Sequence, residues 1–138
     1  MSFRLRLLAI VGALAASAGA AAADDVKIAL LRGLTGPLQA YAKQTETGFM
    51  MGLEYATKGT MEVDGRKIVV VTKDDQGKPD LAKSALTEAY EDDGADIAVG
   101  TTSTAPALAM LPVAEEHKKL LIVEAAVADA ITGDKWNR

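Results

Sequence analysis

From residue 26 onward the chain alternates short apolar runs with longer segments whose apolar residues recur every three or four positions. Residues 26–31 (VKIALL) read as a first strand. Residues 37 to about 58 read as a helix, with Phe49, Met50, Leu53 and Ala56 at helical spacing and Gly59 placed to cap it. Its internal Gly48 and Gly52 each cost about 1 kcal/mol relative to alanine, so close packing on a sheet is the expected reason for them. A hairpin-like turn follows at Val63-Asp64-Gly65-Arg66. Residues 67–72 (KIVVVT) form a second strand, near-continuously apolar as a strand covered on both faces should be. Pro79 opens a second helix at the favoured first position, and Ala82, Ala85, Leu86, Ala89 and Tyr90 give it one apolar stripe down to Gly94. Residues 96–99 (DIAV) are a third strand, residues 104–118 a third helix and residues 120–123 (LLIV) a fourth strand. Pro112 lies inside that third helix and removes its bond to Leu108, which predicts a kink or a split. No helix is expected after the last strand, and the chain closes on Trp136-Asn137-Arg138.

Strands alternating with helices imply βαβ units, a parallel sheet and an α/β fold. Right-handed crossovers with the strand order 2-1-3-4 place the reversal point between the first and third strands, and ligands bind outside the carboxyl ends there. The loops that matter are then residues 32–38, 73–78, 100–106 and 124–129.

The first residues do not fit this alternation. Arg4 and Arg6 precede an uncharged Leu/Ala/Gly stretch that ends in Ala21-Ala22-Ala23, just before Asp24. This is the order of a secretory signal peptide. The stretch of about 17 residues, rich in alanine and glycine, falls short of the roughly 20 that a spanning helix needs. Residues 1–23 are therefore expected to be cleaved, leaving residues 24–138 exported to the periplasm with no direct membrane insertion. The chain has no cysteine, so a lipid anchor at the junction, disulfides and thiolate metal sites are excluded. The leader carries 2 of the 15 basic residues and none of the 19 acidic ones, so cleavage moves the net charge from −4 to −6. An acidic surface argues against nucleic acid and anionic membranes as partners.

The richest loop is Gly100-Thr101-Thr102-Ser103-Thr104-Ala105-Pro106, four hydroxyl residues between a strand and a helix. Hydroxyls cap free helix amides, but four exceed one cap, and hydroxyls with free amides bind carboxylate or phosphate. Both readings stand on the residues alone. The turn Leu34-Thr35-Gly36-Pro37 leads to Tyr41, whose ring either closes over an apolar ligand or packs. Enzyme readings lack their residues. His117, the sole histidine, is expected to face solvent late in the third helix among Glu115, Glu116, Lys118 and Lys119. Ser103 is not framed as G-x-S-x-G, and Gly33-Leu34-Thr35-Gly36 is neither a dinucleotide fingerprint nor a P-loop. Asp74-Asp75 could suggest a metal or phospho-acceptor pocket, but the other strand ends are Leu31-Arg32 and Val99-Gly100. The pair is expected to face water or to meet Lys73 and Lys78. Glu91-Asp92-Asp93 is read as solvated surface.

The ordered series VKIALLRGLTGPLQAYA, GFMMGLEYA, VDGRKIVVVTKDDQGKPDLAKSALTEAYEDDGADIAVGTTST and PVAEEHKKLLIVEAAVADAITGD resembles the first lobe of type I periplasmic substrate-binding proteins of ABC importers. That family takes branched-chain amino acids and related carboxylates. The resemblance implies a three-layer lobe with a parallel sheet, no cofactor, no metal and no catalysis. The implied partners are a small carboxylate solute and the membrane permease of an importer. It carries the ligand's carboxylate onto Ser103 and Thr104, with Thr102 nearby, and onto backbone groups of Ala126 and Ala128; the family's aromatic falls on Tyr41. Many amino-acid binders have Ser or Thr where this chain has Val127, which leaves room for an aromatic or aliphatic acid.

Family members run roughly twice as long or more and close a second lobe over the solute, so residues 24–138 are expected to be a truncated N-terminal portion of lobe I. One lobe cannot bury about 70 to 90 per cent of a ligand, which predicts weak binding or none by this chain alone. The strand LLIV is expected at or near an open edge that invites association. A ligand-sensing module feeding a signalling partner, and an exported flavodoxin-like enzyme, are the competing readings.

Overall fold

The computed structural model describes residues 24–135. The expected leader, residues 1–23, and the closing Trp136-Asn137-Arg138 lie outside the described residues. In chain order the elements are β1 (Val26–Arg32), α1 (Gln39–Ala56), β2 (Glu62–Val63), β3 (Arg66–Asp74), α2 (Pro79–Glu91), β4 (Ile97–Val99), α3 (Thr104–His117), β5 (Leu120–Ile122) and α4 (Asp129–Thr132). The sheet order is β2-β3-β1-β4-β5. Every pairing is parallel except the short β2–β3 hairpin around Asp64-Gly65. The order expected for the four main strands is the one found.

Alternation along β1 divides the apolar side chains between two faces. Ala29 and Leu31 join Leu86, Ala89 and Tyr90 of α2, Ala98 of β4, and Met110 and Val113 of α3 in one buried cluster. Ile28 and Leu30 join Ile68 and Val99 in a second, with Phe49 and Leu53 of α1 packed against it. Helices thus cover both faces, giving the three-layer α/β lobe.

Several local expectations change. Gly48 and Gly52 do not pack closely, since a Cβ at either position would meet nothing within 4 Å. A hollow of about 650 Å³ lies along another side of α1, lined by Met50, Met51 and Met61. The helix α3 runs unbroken through Pro112. Proline removes one hydrogen bond, and the buried Met110, Val113 and Ala114 around it hold the helix together. A short helix, α4, does follow the last strand.

The acidic end of α2 is more than a solvated surface. Lys73 Nζ reaches Glu88 and Asp93 carboxylates, both at 2.7 Å, and these pairs raise its pKa. Lys27 Nζ donates to Asp93 O at 2.7 Å, and Lys119 Nζ donates to Ala95 O at 2.6 Å. Cations therefore meet the carbonyls where the helix dipole is negative. His117 is not solvent-facing; its side chain is 20% exposed, 3.6 Å from Glu91 Oε1 and tilted against the Tyr90 ring.

The strand β5 is one edge of the sheet among the described residues, opposite β2, with Leu120 and Ile122 exposed. Tyr90 ties this edge to the core, donating from its hydroxyl to Leu120 O at 3.1 Å. Burial pushes the phenol from 10.0 up to about 12. A raised phenol favours the protonated fold, so this contribution is intact below pH 10.0 and is lost as pH rises through about 12. One of the three tyrosines is therefore expected to ionise near pH 12 in an alkaline absorbance titration. Tyr90→Phe should remove that step and lower stability by about 1 kcal/mol in urea unfolding.

Candidate functional site

Because β1 lies between β3 and β4, the loops leaving these strands on the carboxyl side converge at one end of the sheet. The convergence is held by two carboxylates at the end of β3. Asp74 Oδ1 accepts from the amides of Leu34 at 2.9 Å, Thr35 at 3.3 Å and Gln76 at 2.9 Å. Its Oδ2 accepts from the Thr35 hydroxyl at 2.7 Å. Burial alone would raise this carboxyl, but the Thr35 hydroxyl and the three amides outweigh it and hold Asp74 below 3.8.

Asp75 is fully buried, accepting from Gly77 N at 2.7 Å and from the Thr101 hydroxyl. These bonds overturn the expectation that Asp75 faces water or meets a lysine, while Asp74 stays partly open to solvent. Lys73 turns to α2 instead, and Lys78 Nζ reaches Gln76 Oε1. A short side chain with several donors in reach satisfies its lone pairs locally.

Two glycines make the approach possible. Gly36 sits at φ +100 in the Thr-Gly-Pro turn. At Gly100 a Cβ would stand 2.3 Å from Leu31 O, so only glycine lets the loop after β4 pass the end of β1. The four hydroxyl residues beyond it then divide their work. Thr101, buried, serves Asp75 and accepts from Thr102 N at 2.6 Å. Thr102, also buried, accepts from Gly33 N at 3.3 Å. Ser103 stands at the N-cap of α3 in extended conformation, yet no side chain caps that helix. Thr104 begins the helix half-buried. The first-turn amides of α3 thus have no side-chain acceptor, and the pure capping reading of this loop fails.

The six residues singled out from the sequence do not share one cavity. Thr102 and Ser103 line a hollow of about 210 Å³ with Gly33, Thr35 and Gly77. Ala126 and Ala128 line a separate one of about 380 Å³ with Leu121, Val127 and Ile131. Tyr41 is 64% exposed on α1, and neither Tyr41 nor Thr104 lines either hollow.

Sequence reasoning passed over Arg32 and Glu124. Arg32 ends β1, is fully buried, and donates from Nη1 to Glu124 Oε1 at 2.5 Å and to the Thr45 hydroxyl. An arginine closing a central apolar strand was the available signal. No group of three or more metal-ligating side chains occurs among the described residues.

The family profile described as periplasmic binding protein matches residues 25–137. A Leu/Ile/Val-binding protein homolog of Brucella melitensis is 32% identical over 130 residues, 93% of this chain but 34% of that protein. A solved structure described as an ABC-type branched-chain amino acid transporter from Rhodopseudomonas palustris superposes at TM-score 0.81 with 79% identity, covering 82% of this chain and 30% of its own. Another R. palustris solute-binding protein, solved with 3,4-dihydroxybenzoic acid, matches at TM-score 0.73 and 31% identity over 80% of this chain and 30% of its own. The chain thus spans about a third of the length of the relatives it matches. These neighbours share the type I periplasmic binding protein fold.

Asp74 supplies a test of how the site is built. A depressed carboxyl contributes stability that is complete above 3.8 and is lost as pH falls through its lower folded value. The amide resonances of Leu34 and Thr35 should therefore shift below pH 3.8 in an acid titration. Asp74→Asn should abolish that step and lower the urea midpoint at neutral pH.

Proposed function

The chain belongs to the periplasmic binding protein family, and from that premise we propose that residues 24–138 are part of the first lobe of an exported receptor. It binds a small carboxylate solute and hands it to the membrane permease of an ABC importer. The family is one of binding proteins rather than enzymes. The observation that carries the reading is the start of α3 at the β1–β4 switch point, where the N-cap residue Ser103 makes no side-chain cap and, with Thr102, lines a hollow. Donors at a helix N-terminus attract a carboxylate through unsatisfied N–H groups and the dipole together.

In this reading Ser103, Thr104 and Thr102 receive the carboxylate, backbone groups of Ala126 and Ala128 complete its shell, and the Tyr41 ring covers the solute. The solute is a branched-chain amino acid or an aromatic or aliphatic acid. The relatives' names favour the first. The dihydroxybenzoate-bound neighbour, and Val127 in place of a hydroxyl residue, favour the second. Residues 1–23 are the export leader, and no helix among the described residues is long and apolar enough to cross a membrane.

The chain recovered from a periplasmic fraction should begin at Asp24 by intact mass; an uncleaved chain would contradict export by this leader. Titration of that chain with leucine or 3,4-dihydroxybenzoate at millimolar concentration should move the amide resonances of residues 33–38, 101–104 and 126–129. Calorimetry at micromolar concentration should register little heat, since two shallow, separate hollows cannot enclose a solute. Shifts scattered elsewhere, or none, would refute the carboxylate reading.

A further inference from the structure

Arg32 places a full positive charge inside the strand-end cluster, and neither the packing of the core nor the solute-binding reading uses it. Its guanidinium is fully buried, with Nη1 bonded to Glu124 and Thr45 while Nε and Nη2 have no acceptor among the described residues. Exchanging a buried ion pair for apolar side chains of similar size is often neutral or stabilising. Stability alone therefore does not explain why the charge is there.

Glu124 gives the reason. It stands two residues beyond β5, in the loop that carries Ala126 and Ala128, and its side chain is 22% exposed. An uncompensated carboxylate two residues before Ala126 and four before Ala128 would repel an anionic solute, and at partial burial such repulsion is worth about tenfold in affinity. The guanidinium meets this charge from the interior side and holds α1 through Thr45 with the same nitrogen. The pair joins the first and last solute loops, residues that are 92 apart in the chain.

We propose that Arg32 is the charge-compensating and positioning residue of the carboxylate pocket. It neutralises Glu124 so that the loop after β5 can present its backbone to an anion. The proposal rests on the carboxylate-receptor reading above and adds a selection by charge: Arg32 sets the preference for an acid over its neutral amide.

The test compares wild type, Arg32→Met, Arg32→Lys, Glu124→Gln and the Arg32→Met/Glu124→Gln double variant by amide-resonance titration. The probes are whichever of leucine or 3,4-dihydroxybenzoate binds and the carboxamide of the same acid. Arg32→Met should weaken the acid about tenfold and the amide by no more than about twofold. Arg32→Lys, which keeps the charge, and the double variant, which removes both charges, should each return the acid to within about threefold of wild type. Equal losses for acid and amide, or a double variant no better than Arg32→Met, would assign the pair to structure only and overturn the proposal while the carboxylate reading stands. If Arg32→Met does not fold, the neutral double variant decides, and loss of acid binding there overturns the proposal. A wild-type chain that responds to neither acid overturns the reading and the proposal together.

Discussion

The architecture depends on β1 being inaccessible from every side. It is bonded to β3 over seven register pairs and to β4 over three, with apolar residues on both faces. Residues Ala29 to Arg32 are completely shielded from solvent. A strand in this position must be apolar where it is buried, and Ile28 to Leu31 are, with Ala29 in the cluster that α2 and α3 share with the strand. The same burial fixes where the chain can bind anything. With both faces covered and both sides paired, β1 meets other groups only at its ends, and its carboxyl end is where neighbouring crossovers part.

What the sequence revealed follows from how local each signal is. The four main strands and three helices were legible because periodicity is written in consecutive side chains, and the switch point followed from handedness. The pairing of Asp74 with the Thr35 turn was not, because it joins residues 39 apart and a short carboxylate looks the same in the sequence whether it is solvated or buried. Arg32 and Glu124 were missed for the same reason at greater separation. The glycines of α1 show the opposite failure. Gly48 and Gly52 have the spacing of a close helix contact, yet both face open space. Spacing identifies the face of a helix and leaves open what covers it.

The hydroxyl loop was partly legible. Its composition announced a polar task, but four adjacent hydroxyls carry no label that separates scaffold from solute contact. Burial makes part of the separation: the Thr101 hydroxyl is spent on Asp75, the Thr102 hydroxyl accepts from Gly33 and keeps its own hydrogen to donate, and Ser103 and Thr104 stand half-buried at the start of α3. A loop shaped by its own buried hydrogen bonds presents its donors in a fixed geometry, which reduces the ordering cost of binding.

Charge gives these bonds a common logic. The segments leaving β3 and β5 carry three carboxylates, Asp74, Asp75 and Glu124. Each has donors from the protein itself: three amides and a hydroxyl for Asp74, an amide and a hydroxyl for Asp75, a guanidinium for Glu124. Donors aimed at a carboxylate offset its field locally, and the offset is strongest where water is excluded. Acidic residues can therefore shape an anion site as long as their charge is answered from within. They then act as struts between loops.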